Sequence, residues 1–123
     1  MVEPHDRPDA IELVDIVSEF LGDEVIPLLE GQVAFHARVA MNALAIVDRE
    51  LRLGPGHQEA HAARLAAFGC TTDAELAASI RDGELDDRYR EVAAAVRQLV
   101  WDKIAVMNPK YVHPYDDAQA RED

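Results

Sequence analysis

Glycine and proline fall between the periodic stretches of this chain rather than within them, at Gly22, Pro27, Gly31, the Gly54–Pro55–Gly56 run, Gly69, Gly83 and Pro109. Between those marks apolar residues recur at three- and four-residue intervals, and almost nowhere do apolar and polar residues alternate over the length of a strand. A chain punctuated in this way reads as all-α. No internal repeat or low-complexity run interrupts the pattern.

The first helix is announced by "RPDAIE", where Asp9 and Glu12 have the spacing of a capping box, two side chains set to satisfy free backbone donors. At about 100° per residue, Leu13, Val14, Ile16, Val17, Phe20 and Leu21 share a side expected to face the core, with Glu12, Asp15 and Glu19 opposite. Gly22 allows a break, Pro27 forbids a continuous interior helix and Gly31 marks the next start. A second helix is expected over residues 31–53, stopped by "LGPG" with Gly54 in a left-handed C-terminal position. An alanine-rich third helix covers residues 56–68 and ends at Gly69. A short fourth lies in "TTDAELAASIRDG", where Thr72 and Glu75 repeat the capping-box spacing. The fifth and longest runs over residues 86–108 and stops before Pro109.

On that last helix Leu85, Tyr89, Val92, Val96, Leu99, Val100, Ile104 and Met107 form a continuous apolar stripe that requires burial. Three long, one-sided helices and two short ones are most economically packed as an up-and-down helical bundle. With 123 residues the chain is long enough for one core. A single helical domain over residues 1–123 is expected, with residues 1–7 and 114–123 as loosely attached ends.

The polar residues that break the stripes are the candidates for function. In projection His36 falls in the middle of the second helix's apolar arc, with Val39, Ala43 and Val47, whereas Arg38 and Asn42 lie together on another side. His36 is expected to serve as a core histidine bonded to a carbonyl or carboxylate. Arg38 and Asn42 are expected to border solvent or a neighbouring element. Lys103 projects near the centre of the last helix's stripe. It is expected to snorkel, its stem on the core and its ammonium in water, or else to pair with Glu50 on the edge of the second helix. Trp101 stands one turn after Arg97 on the flank of the stripe, which suits an interface anchor and a packed core edge equally. Tyr111 would join Arg38, Asn42 and Trp101 if those residues share one exposed patch.

His57 and His61 stand four residues apart on one side of the third helix, the spacing of two metal-binding imidazoles. They make half a site, because Gln58 follows His57 where an "HExxH" motif needs Glu, and no third ligand is visible. Their side also carries Leu65 and Phe68, which favours packing over metal. The lone Cys70 excludes an intramolecular disulfide and a multi-cysteine zinc site. No cation adjoins it to activate a thiolate, so it reads as a small residue in a turn.

With 24 acidic and 12 basic residues the net charge is −12. That balance disfavours nucleic acid and anionic membrane surfaces and favours a basic patch on a protein partner. No apolar run is long enough to cross a bilayer. The N-terminus lacks the basic and apolar regions of a secretory signal, so a cytoplasmic location is expected.

Three segments, "DRPDAIELVDIVSEFL", "FHARVAMNALAIVDREL" and "WDKIAVMNPKYV", resemble a family of small bacterial helical domains of unknown function. The resemblance covers most of the chain and is most specific in the second helix and in "DKIAVMNPKY". Members occur fused to, or encoded near, proteins resembling aminoglycoside phosphotransferases, and sometimes near acyl-CoA dehydrogenases. The resemblance therefore implies an accessory role beside a kinase-like or acyl-CoA-metabolising enzyme, with no catalytic residues to carry over. The chain itself has neither a glycine-rich phosphate loop nor an "HxD" catalytic loop.

The leading expectation is a non-enzymatic interaction module without a cofactor, with a protein partner or a second copy of itself. The rival is a small ligand-binding or enzymatic bundle whose pocket uses His36, Arg38 and Asn42, with Lys103 and Tyr111. A third alternative is metal binding through His57 and His61.

Overall fold

The computed structural model describes residues 3–111. Those residues are all-helical, with four α-helices: α1 (Ala10–Phe20), α2 (Gly31–Ala67), α3 (Asp73–Arg81) and α4 (Tyr89–Met107). Short helical turns precede α2 at Leu21–Val25 and Ile26–Leu28, precede α4 at Asp86–Arg88, and follow it at Pro109–Tyr111. Among the described residues no helix is long and apolar enough to cross a membrane. The chain divides into two compact units, Met1–Gly54 and Pro55–Asp123. The expected loose end at 114–123 lies outside the described residues, as do residues 1 and 2.

One expected helix break is corrected. The "LGPG" stop does not end a helix: α2 is 37 residues long and contains Pro55. Positive φ occurs, among the described residues, at Gly31, Gly69 and Gly83, so Gly54 is not the left-handed cap that a stop there requires. Proline removes one backbone donor and crowds the carbonyl four residues back. Gly54 and Gly56 add no Cβ to that crowding, and the expected second and third helices are one. At Gly22 the expected break is present: α1 ends at Phe20. The chain widens into a π-helical turn over Leu21–Val25 and then tightens into a 3-10 turn carrying Pro27.

In the first unit α1 runs antiparallel to the beginning of α2. Arg52 meets Asp15 at 3.0 Å, and a Cβ placed on Gly22 would lie 3.1 Å from Met41 Cε. Asp9 caps α1 by accepting from the Glu12 N–H at 3.0 Å. The reciprocal limb of the expected capping box is diverted, because the Glu12 carboxylate accepts a two-pronged bond from Arg7 at 2.9 Å. That bond holds the Glu12 carboxyl below the ordinary glutamate range and ties residue 7, an expected loose end, to α1.

The second unit contains the larger buried cluster, Leu65, Cys70 and Leu76, with Phe68 and Leu85 packed against it. Its helix ends explain why it closes. At the end of α2 the Cys70 N–H donates to the Leu65 carbonyl at 2.9 Å and the Gly69 N–H to that of Ala66 at 3.0 Å. This is a Schellman cap in which Gly69 takes the left-handed residue and Cys70 packs back on Leu65. Cys70 is thus a small buried residue in a turn. At α3, Thr72 Oγ1 accepts from the Glu75 N–H at 3.2 Å, and the Glu75 carboxylate accepts from the Thr71 N–H at 2.8 Å.

Candidate functional site

In the second unit the polar residues converge on Asp102 of α4. Its carboxylate accepts from Arg64 of α2 at 3.1 Å and from Gln98, one turn earlier on α4, at 2.9 Å. His57 Nε2 stands 3.7 Å away. Arg64 lies seven residues from His57 and three from His61, so one side of α2 presents all three. His61 turns to a different carboxylate, Asp73 at the start of α3, at 2.8 Å. Each imidazole therefore has its own carboxylate neighbour. Among the described residues no group of three or more His, Cys, Asp or Glu is placed to hold a metal ion.

The hollow nearest this network is lined by His61, Leu65, Phe68, Leu76, Val96 and Leu99, with a volume of about 10 Å³. That is room for about one water. Opposite charges joined by hydrogen bonds around such a space tie α2 to α3 and α4. Arg88 adds another tie, donating to the Ala67 carbonyl at 3.2 Å and lying 4.8 Å over the Phe68 ring.

The first unit presents something different. The face of α2 turned toward α1 is built from Ala34, Ala37, Met41, Leu44, Ala45 and Asp48, all buried or half-buried. On α1 the corresponding face is Ile11, Val14, Asp15 and Ser18, all half-buried. Projecting both antiparallel helices at about 100° per residue from this contact separates the hairpin's two flanks. One flank collects Glu12, Asp15 and Glu19 of α1 with Arg38, Asn42, Arg49 and Arg52 of α2, and Arg52 bridges it to Asp15 and Asp48. The other collects Leu13, Val17 and Phe20 with Val33, Ala40, Ala43 and Val47.

That second flank is open. Phe20 is 54% exposed, Val33 61% and Val17 47%. Ile16, Val39 and Phe35 extend it along the outer edges of the two helices, each about half exposed or more. The α1 side chains expected in the core are therefore not there. Val14 and Leu21 are half-buried, while Leu13, Ile16, Val17 and Phe20 are exposed.

His36 is corrected for the same reason. It does lie in the apolar arc of α2, but that arc is the one turned away from α1, so the imidazole is exposed and rests edge-on against Phe35, ring centres 5.7 Å apart. Arg38 and Asn42 are exposed on the other flank, so the three residues of the expected pocket do not share a side of α2. Glu50 is exposed in the first unit and Lys103 in the second. Neither is a buried charge, so neither needs the partner that burial would demand. Trp101 is half-buried on α4, and Tyr111, 72% exposed, closes the final 3-10 turn.

Sequence reasoning missed Asp102 and Arg88. Arg64 on the His57–His61 side of α2 was the available signal for the first. For the second there was none, because the Ala67 carbonyl that Arg88 caps is 21 residues away.

No curated protein and no solved structure matches the chain. A family model does, over residues 27–111, from the turn before α2 to the turn after α4. The chain belongs to the family defined by the domain of unknown function DUF6285.

Proposed function

We propose that this protein is a non-enzymatic helical accessory module of the bacterial cytoplasm that acts by binding another protein. The observation that supports the reading is the open apolar flank of the α1–α2 hairpin. Apolar side chains at helical spacing are left in water at a cost of roughly 25 cal/mol per Å², and association removes that cost. The up-and-down bundle expected from the sequence belongs to the same proposal. The hairpin supplies two antiparallel helices, and whatever covers the flank supplies the next layer.

The enzyme partner is of the kinase-fold or acyl-CoA-metabolising class that the family resemblance implies. The net charge of −12 suits a basic patch on such an enzyme. The test is titration of the purified chain against the purified enzyme encoded beside it, reading both heat of binding and enzyme turnover. Saturable binding that weakens as salt is raised is the expected result. An enzyme that neither binds the chain nor changes its activity overturns the reading.

A further inference from the structure

We infer that the apolar flank of the α1–α2 hairpin is a self-association surface, covered in solution by the same flank of a second copy of this chain. The inference rests on the interaction-module reading and names a second copy as the occupant of its open flank, which leaves the acidic surface outside that flank to the enzyme.

The first argument is area. Leu13, Ile16, Val17, Phe20, Val33 and Val47 are each roughly half exposed. With their neighbours they leave roughly 600–700 Å² of apolar side chain open, near the ~800 Å² that each partner gives to a stable interface. A monomer's largest apolar patch is about 300–600 Å².

The second is the missing layer. Among the described residues of the first unit, Ala34 is the one buried apolar residue. A pair of helices in contact along one seam is a single layer, and a stable core needs two. Two hairpins set face to face give four helices in two layers, the geometry of a four-helix bundle.

The third is charge. A two-fold interface sets one patch against the same patch of the partner, so a patch carrying net charge repels itself. On this hairpin the formal charges of Glu12, Asp15, Glu19, Arg38 and Arg52 lie on the opposite flank. The apolar flank carries His36 within it and Glu50 at its outer edge, between Val39 and Ala43 in projection. Two chains of net charge −12 can meet there with a single carboxylate from each, Glu50, at the rim of the contact.

Sedimentation velocity of the full chain over a hundredfold range of dilution tests this. The expected species has twice the 13.6 kDa chain mass. The double variant V17D/V47D should run at chain mass with helical circular dichroism retained, while R38E, on the other flank, should leave the dimer intact. If the aspartates prevent folding, V17T/V47T should fold and raise the dimer dissociation constant at least tenfold.

Chain mass at every concentration for the unmodified protein overturns the inference. Face residues then protected from exchange would assign the flank to the second unit, and unprotected ones to a different protein. A dimer unaffected by V17T/V47T also overturns it. Loss of enzyme binding with the dimer intact would remove the accessory role instead, so the two failures are distinguishable.

Discussion

Arg64 and Asp102, 38 positions apart in the chain, meet at 3.1 Å and join α2 to α4 in the second unit. The Asp102 side chain is 16% exposed and also serves Gln98 and His57. Removing it strands one half-buried guanidinium and one amide. Asp102→Ala should therefore cost about 1–3 kcal/mol, read as a lowered urea midpoint at unchanged slope. Gln98→Ala, which leaves the ion pair in place, should cost less.

Gly54→Ala and Gly56→Ala should each stabilise the protein, by about 0.5–1 kcal/mol, because both glycines lie inside α2 and a Cβ on either meets nothing within 4 Å. Gly69→Ala should do the opposite. Its φ of +71° is left-handed, and a Cβ there costs about 1–2 kcal/mol. Thermal melts of the three variants check the continuity of α2: a helix stopped at Gly54 would make Gly54→Ala destabilising.

Acid should loosen α3 through Glu75. The Thr71 backbone N–H donating to its carboxylate, with the Thr71 hydroxyl, holds the Glu75 carboxyl below its ordinary value of 4.5. A carboxyl lowered on folding adds stability that is present above its unfolded pKa and lost as pH falls through the folded one. Amide exchange at the start of α3 should therefore quicken below about pH 4.5. In Glu75→Gln that acid-dependent step should vanish, and Thr72→Ala should cost about 1 kcal/mol at all pH values.

Zinc should leave the melting temperature unchanged at equimolar ratio. His57 and His61 address different carboxylates, Asp102 and Asp73, so binding would have to break two existing contacts to gain a two-histidine site. A metal that binds the native state raises its melting temperature, and a rise lost in His61→Ala would establish the site.

Much of the local structure was legible because its causes are local. The cap at Thr72 and Glu75, the stop at Gly69 and the helix broken before Pro109 each depend on residues within four positions of one another, and the structure has each of them. The reading failed at "LGPG" because proline and glycine state a cost, and a cost does not say whether the rest of the helix outweighs it.

Periodicity alone established that the chain is helical and that α1 and α2 each carry an apolar stripe. It could not say which face each helix turns to the other, because α2 has two candidates: one at Ala34, Ala37, Met41, Leu44 and Ala45, and one at Val39, Ala43 and Val47 with His36 among them. The tertiary structure turned the face of Ala34, Ala37, Met41, Leu44 and Ala45 to α1, with Gly22 of the turn after α1 against the Met41 side chain. That choice, made by contacts between residues far apart in the chain, placed His36 in water, separated it from Arg38 and Asn42, and left an apolar flank open.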